Sequence, residues 1–221
     1  MTAIIMAAGQ SKRWQTHRGF ENKYLVEVDG EPIYARTLRI LKEMGCPEIY
    51  LSTNNEDLKK HPEYYYAANK TGAEIDRFLN TRALWKTKKQ LIYFYGDVYY
   101  TRDALEKIYT KRVQDFAAFG RYGTTPEFSG QKTHEIFALA VKDPMLLQKA
   151  CDCVYGLYQK GKLKRCQGWQ VYRAMLGIPP TRGGAPNLKK LVTISDITTD
   201  FDKGSDYESW LIATDGKRLV D

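Results

Sequence analysis

The sequence predicts an α/β fold with a mostly parallel, twisted sheet and helices on both of its faces. Short apolar runs typical of buried strands alternate along the chain with segments whose apolar residues recur at helical spacing. Such alternation is typical of a parallel sheet covered on both faces. Of the 221 residues, 43% are hydrophobic, which suffices for a sizeable core. We expect one domain over residues 1–221.

The first half of the chain predicts three strands and three helices. The strands are predicted at residues 2–8, 48–54 and 90–100. The helices are predicted at residues 32–45, 73–85 and 102–109. Pro32 suits the first turn of a helix, Gly45 suits a helix end, and Thr101 is a good N-cap.

The second half predicts the same alternation. The strands are predicted at residues 116–123, 135–141 and 191–195, and the helices at 143–159, 168–177 and 205–214. Asp143 is the expected N-cap of the first of these helices, and Pro144 takes its first position. Because ligands of open α/β sheets bind beyond the carboxyl ends of the strands, the chain around Gly9 and Asp97 is the expected place of a site.

Cysteine usage and hydropathy exclude some classes of protein. Cys46, Cys151, Cys153 and Cys166 form no C-x-x-C pair, so a zinc site is not expected and a reducing compartment fits. No stretch approaches the ~20 apolar residues of a membrane-spanning helix, and no signal peptide is recognisable. We expect a cytoplasmic protein without membrane contact.

Positive charge is concentrated in one segment, residues 153–195. The chain carries a net charge of +8, and this segment contains eight Lys and Arg residues but no Asp or Glu. Aromatic residues lie among these cations, and the combination is typical of surfaces that bind nucleic acid. The alternative is a solvated helical face with aromatic residues in the core. The residues expected to contact an anionic acceptor are Lys162, Lys164, Arg165, Trp169, Tyr172 and Arg173.

The loop "AAGQSKRW" after the first strand is a candidate anion-binding site. Gly9 allows a sharp turn and close approach of backbone N–H groups, and Ser11, Lys12 and Arg13 add a hydroxyl group and two charges. Its spacing fits neither the Walker loop nor the G-x-G-x-x-G turn.

Three motifs in order resemble the nucleotidyltransferase-like branch of the GT-A superfamily. The first is the loop "AAGQSKRW" together with the later segment "KYLVEVDGEP". The second is the strand end "YFYGDVYYT", and the third is the tail "TTDFDKGSDYE". The resemblance runs from residue 1 to about residue 210 and implies a single Rossmann-like GT-A domain. Residues 1–120 would form its nucleotide-binding half, and residues 121–221 its acceptor-binding half.

The resemblance also implies roles for individual residues. The nucleotide phosphates would be held by Ala8, Gly9, Ser11, Lys12, Arg13 and Lys23. Asp97 would bind Mg²⁺ or Mn²⁺ together with Asp200 or Asp202, in keeping with the preference of hard cations for oxygen ligands. Asp97, Lys23 and Arg13 are thus the expected catalytic residues. His134 and Glu135 are candidates for a base, with ordinary loop residues as the favoured interpretation.

Two departures from the family pattern shape the expected function. Ser11 replaces a second glycine and Asn22 replaces a proline, which favours a nucleotide-sugar donor, a UDP-sugar, over a nucleoside triphosphate (NTP). With the basic segment, this predicts a metal-dependent glycosyltransferase with a polyanionic acceptor. In size and charge the chain resembles, among GT-A proteins, the phage-type glycosyltransferases, and this resemblance implies action on 5-hydroxymethylcytosine in DNA in the host cytoplasm. The alternatives are a nucleotidyltransferase that joins an NTP to a sugar or polyol phosphate, and a non-catalytic nucleic-acid-binding module.

Overall fold

A seven-stranded sheet dominates the computed structural model, which describes residues 1–9, 13–14, 17–68, 71–85, 89–123, 134–182 and 188–214. The strands of the described residues are β1 (Thr2–Met6), β2 (Glu27–Val28), β3 (Glu31–Pro32), β4 (Ile49–Thr53), β5 (Tyr64–Tyr66), β6 (Leu91–Tyr95), β7 (Val98–Tyr99), β8 (Phe116–Tyr122), β9 (His134–Val141), β10 (Leu191–Thr193) and β11 (Thr199–Asp200). The α-helices are α1 (Ile33–Glu43), α2 (Asp76–Leu79), α3 (Arg102–Thr110), α4 (Pro144–Gln159), α5 (Gly168–Met175) and α6 (Gly204–Thr214). Short 3-10 helices lie at Lys23–Leu25, Glu56–Leu58 and Arg82–Leu84.

The strand order of the large sheet is β10-β8-β9-β6-β1-β4-β5. Strand β9 pairs antiparallel with β6 and with β8, and the other four neighbouring pairs are parallel. The prediction of a mostly parallel sheet is therefore confirmed.

Helices cover both faces of this sheet, as predicted. Successive residues of a strand point to opposite faces, and along β1 Ala3 and Ile5 pack into one hydrophobic cluster while Ile4 and Met6 pack into another. The first cluster includes buried residues of α1 and α3, and the second includes those of α2, α4 and α5. Among the described residues, no helix has both the length and the apolar character needed to cross a membrane.

A small antiparallel sheet of β7 and β11 joins the C-terminal part of the chain to the exit of β6. Asp200 is opposite Val98, and the Phe201 amide donates to the Asp97 carbonyl at 2.9 Å. A third, mostly aromatic cluster lies beside it and contains Trp14, Phe201 and Trp210. The loop after β1 and the helix α6 therefore share one core.

The structure corrects the prediction of a continuous helix over residues 73–85. Only α2 and the 3-10 turn Arg82–Leu84 form there. The Thr81 hydroxyl donates to the Phe78 carbonyl at 2.8 Å and lies 3.0 Å from the Tyr93 hydroxyl. Side-chain bonds to backbone compete with helical hydrogen bonds, and here tertiary contacts with β6 hold the broken form.

Other predicted elements need smaller corrections. The strand predicted over residues 90–100 is interrupted at Gly96 and Asp97, which separate β6 from β7. The edge strand β5 was not predicted. The caps are confirmed, because Thr101 accepts from the Ala104 amide at 3.0 Å, and Asp143 accepts from the Met145 amide at 2.9 Å.

Candidate active site

A cleft of about 550 Å³ opens at the carboxyl ends of β1 and β6. One side is formed by residues after these two strands, including Gly9 and Asp97, and by Lys23. Residues 164–169 and some of residues 72–80 form the opposite side. The cleft lies where the sequence predicted a ligand site.

Gly96 brings Asp97 to the cleft by a close approach between two strand ends. Its amide donates to the Met6 carbonyl at 3.0 Å, and a Cβ atom at this position would lie 2.8 Å from the same carbonyl oxygen. A side chain at residue 96 would push the exit of β6 away from β1. Glycine is therefore required for Asp97 to lie beside the loop that follows β1.

Four charged side chains from distant parts of the chain form one network in the cleft. The Lys23 ammonium forms an ion pair with Asp97, and its Nζ atom lies 3.1 Å from Asp202 Oδ1. The other oxygen of Asp202 lies 2.6 Å from a terminal nitrogen of Arg13. The structure thus brings together three predicted catalytic residues and one of the two tail aspartates.

The Lys23 ammonium stays protonated in this network. Burial lowers the pKa of Lys23, but the adjacent carboxylates of Asp97 and Asp202 outweigh that effect, so its pKa lies above the usual value. A permanent positive charge is therefore held between the two carboxylates.

Backbone contacts position Asp202 for this role. The carboxylate of Asp206, in the first turn of α6, accepts from the amides of Asp202 and Lys203 at 3.0 and 2.8 Å. Asp200 also lines the cleft, at the end of β11. The shared contact with Lys23 places Asp202 beside Asp97.

The carboxylates of Asp97 and Asp202 fit a divalent cation that is shared with phosphate oxygens. Both approach the same ammonium group, so they already surround one cationic position. The described part of the chain contains no group of three or more His, Cys, Asp or Glu residues that could hold a metal by itself. Mg²⁺ is commonly held by one or two carboxylates and completed by waters and substrate phosphates, which is the arrangement these residues allow.

The structure describes only some residues of the predicted phosphate-binding loop. Ala8, Gly9 and Arg13 line the cleft. Ser11 and Lys12, which were predicted to bind phosphates, lie outside the described residues. In the described part of the chain, no atom other than those of its chain neighbours lies within 4 Å of the position that a Cβ atom of Gly9 would take.

The chain that follows this loop is anchored to α6. Trp14 is buried, and its indole nitrogen donates to the Phe20 carbonyl at 2.7 Å. Glu208 of α6 accepts from Arg18 at 2.6 and 2.8 Å and lies 2.7 Å from His17 Nε2. Sequence reasoning missed this anchor, because no local pattern links residues 17 and 208.

Sequence reasoning also missed the wall formed by part of residues 72–80. The Asp76 side chain is only 6% exposed, and its Oδ2 atom accepts from the amides of Thr71 and Gly72 at 2.9 and 3.2 Å. These bonds hold a tight turn against the cleft.

The predicted acceptor residues separate into two groups. Lys164, Arg165 and Trp169 line the cleft, and Arg165 donates to Glu74 across it at 3.0 Å. Lys162 is exposed and is not among the residues that line the cleft, and Arg173 is half-buried on α5.

Tyr172 does not contribute to the cleft wall. Its side chain is 0% exposed and packs edge-on against Phe116 at 6.1 Å between ring centroids. This corrects the prediction that Tyr172 contacts an acceptor, and the alternative of a core aromatic residue is the correct one here.

Of the two candidate bases, Glu135 lines the cleft, whereas the His134 ring stacks on the Tyr122 ring with 4.0 Å between the ring centroids.

The fold is of the nucleotidyltransferase-like, GT-A type. More particularly, residues 3–79 match the family model described as "MobA-like NTP transferase domain". This match includes Gly9, Arg13, Lys23 and the wall within residues 72–79, and it supports the prediction of a transferase. No curated protein sequence matches the chain.

Solved structures with the same fold include three nucleotidyltransferases. A protein from Bacillus anthracis described as a glucose-1-phosphate thymidylyltransferase has a TM-score of 0.61 and 16% identity, and the match covers 100% of this chain and 96% of that one. The inositol-1-phosphate CTP transferase from T. maritima has a TM-score of 0.57 and 14% identity, with 97% and 96% covered. The CTP:phosphocholine cytidylyltransferase from Streptococcus pneumoniae has a TM-score of 0.55 and 15% identity, and the match covers 94% of this chain and 96% of that one. At these identities the likeness shows the fold.

Proposed function

We propose that this protein is a nucleotidyltransferase that joins an NTP to an organic phosphate monoester and releases pyrophosphate. The observation that carries the proposal is the network of Arg13, Lys23, Asp97 and Asp202 in one cleft. Two cations suit the phosphates of an NTP, and two carboxylates suit its divalent cation.

The family match favours this function over the predicted glycosyltransferase. The case for a nucleotide-sugar rested partly on Asn22, which stands where a proline was expected. Asn22 has an extended backbone, with φ −124° and ψ 134°, and the 3-10 helix that begins at Lys23 follows it directly. Because Lys23 nevertheless reaches Asp97, the missing proline does not argue against an NTP.

The reaction requires the chain to offset negative charge while one phosphate attacks another. An oxygen of the acceptor phosphate forms a bond to the α-phosphorus of the NTP, and the bond between the α- and β-phosphates breaks to release pyrophosphate. Lys23 and Arg13 lie where they can neutralise charge on these phosphates. A divalent cation held by Asp97 and Asp202 would supply further charge stabilisation.

The acceptor is proposed to lie against the opposite wall. Lys164 and Arg165 offer positive charge to its phosphate, and Trp169 offers an aromatic surface to its organic part. A monoester needs few cations, and the exposed Lys162 is not required for it.

The test is a pyrophosphate-release assay on the purified full chain. Each of the four common NTPs and dTTP is paired with glucose-1-phosphate, inositol-1-phosphate or phosphocholine in the presence of Mg²⁺. We expect at least one pair to release pyrophosphate faster than the NTP alone. A parallel arm offers UDP-glucose with DNA that contains 5-hydroxymethylcytosine. Sugar transfer in that arm, with no release in any NTP arm, would overturn the proposal in favour of the glycosyltransferase.

A further inference from the structure

The position between Asp97 and Asp202 holds a positive charge that the protein itself supplies. The Lys23 ammonium contacts both carboxylates, and the Lys23, Asp97 and Asp202 side chains are only 14%, 20% and 14% exposed. A cation that entered between these carboxylates from solution would therefore compete with Lys23 for the same oxygens.

We propose that Lys23 closes the metal site of the nucleotide-free protein, so that a divalent cation binds there only together with, or after, a nucleotide. The inference rests on the proposed function, since it concerns the same cleft. It adds an order of binding and gives Lys23 a second role besides charge neutralisation.

The charges of the network support this order. Arg13 and Lys23 carry two positive charges, and Asp97 and Asp202 carry two negative charges, so these four side chains are balanced. A dication arriving alone would have to shed part of its hydration shell and displace an ammonium group that then remains nearby. Like charges at such short range repel, and Mg²⁺ loses its water reluctantly.

A nucleotide changes this balance. Its phosphates bring several negative charges to Lys23 and Arg13, which both line the cleft. When these cations turn to the phosphates, the oxygens of Asp97 and Asp202 become available to a dication. The phosphates also supply further oxygen ligands to it.

The test measures Mn²⁺ binding without any nucleotide, by the loss of the free Mn²⁺ signal in electron paramagnetic resonance. We expect the wild-type protein to bind Mn²⁺ weakly and Lys23→Gln to bind it at least about tenfold more tightly. The double variant Lys23→Gln, Asp97→Asn should lose this gain. Lys42→Gln is the matched control, because Lys42 also pairs with a carboxylate, Glu63, but does not line the cleft. It should bind Mn²⁺ as the wild type does.

Two results of this test would overturn the proposal. One is tight Mn²⁺ binding by the wild type that Lys23→Gln does not improve, and the other is weak binding by both proteins. Circular dichroism and a melting curve establish that the variants are folded.

A second measurement on the wild type alone does not depend on any variant. MnCl2 alone should leave the melting temperature unchanged, whereas an NTP in EDTA should raise it. Stabilisation by Mn²⁺ alone, with none by the NTP in EDTA, would contradict the order of binding. The proposed function fails separately, when no NTP and acceptor pair releases pyrophosphate.

Discussion

The Nζ atom of Lys23 lies 3.1 Å from Oδ1 of Asp202, although 179 residues separate them in the chain. The pairing of β11 with β7 makes this contact, because it places the chain after Asp200 beside Asp97. The cleft is therefore complete only when the C-terminal segment has folded onto the exit of β6.

The first prediction concerns the two aspartates of the network. Asp97→Asn and Asp202→Asn should each lower the rate of pyrophosphate release at least about a hundredfold, since each removes a charge that holds the cation. The melting temperature should fall only modestly, because each variant leaves Lys23 with one remaining carboxylate partner. Asp103→Asn is the control, because Asp103 is exposed and lies outside the cleft. Full activity of either cleft variant would contradict the assignment.

The second prediction concerns the turn after β6. Gly96→Ala should destabilise the protein by about 1–3 kcal/mol, because the added Cβ atom would crowd the Met6 carbonyl. Urea unfolding measures the change. Gly156→Ala, inside α4, should be neutral or stabilising, since among the described residues no atom beyond its chain neighbours and its own helix backbone lies within 4 Å of the added Cβ atom. Equal effects of the two substitutions would show that the approach of β6 to β1 is not tight.

The third prediction concerns the acceptor wall. Lys164→Gln and Trp169→Ala should raise the KM for the acceptor several-fold and leave the KM for the NTP nearly unchanged. Lys162→Gln provides the comparison, because Lys162 is exposed two residues away and is not among the residues that line the cleft. If Lys162→Gln weakened acceptor binding as much as Lys164→Gln, the acceptor would have to extend beyond the cleft.

The fourth prediction concerns the anchor between the phosphate loop and α6. Hydrogen bonds from Arg18 and then from His17 lower the pKa of Glu208. A carboxyl group with a lowered pKa stabilises the fold above its ordinary pKa and loses this effect as the pH falls through its folded value. Glu208→Gln should therefore reduce the melting temperature modestly at pH 7. The difference should begin to shrink as the pH falls through the ordinary carboxyl pKa of about 4.3, and it should vanish only once the folded carboxyl is protonated.

Melting curves of both proteins over this pH range test the anchor. Glu106→Gln, an exposed substitution on α3, serves as the control and should show no such convergence. A difference for Glu208→Gln that persists unchanged at low pH would exclude its carboxylate charge as the cause.

The fifth prediction concerns thiol reactivity. Burial, and then the nearby Glu74 and Asp76, raise the pKa of Cys166 to about 11. Burial also raises the pKa of Cys46 and of Cys151, whereas Cys153 is exposed. Because the thiolate is the reactive form, a disulfide reagent at pH 8 should modify one thiol rapidly in the native protein. Cys153→Ser should remove that rapid phase, and its persistence would show that one of the other three thiols is equally accessible.

Much of the fold could be predicted from local patterns. The apolar run of β1 and the capping residues Thr101 and Asp143 depend on near neighbours in the chain, so the sequence shows them directly. The prediction of a continuous helix over residues 73–85 was wrong. The apolar spacing of this segment is helical, but Thr81 and Trp85 form hydrogen bonds with Tyr93 on β6. No local pattern contains that contact.

The site, like the fold, has residues that local patterns predict and residues that only tertiary contacts assign. That Gly9, Lys23 and Asp97 share one cleft could be predicted because each lies in one of the motifs that resemble the family. Tyr172 could not be assigned correctly, since an aromatic residue at helical spacing fits a core and a binding surface equally well. Its burial depends on how α5 packs against β8, through the contact with Phe116.

By itself, the sequence determined the alternating α/β elements, their caps, and the chemical groups offered at the ends of β1 and β6. Only the tertiary structure decided that Asp202 contacts Lys23, that part of residues 72–80 forms a cleft wall, and that Tyr172 belongs to the core. The physical reason is the range of the forces involved. Backbone preferences and helical periodicity act over a few residues, whereas the ion pairs and packing of the cleft join residues that are distant in the chain.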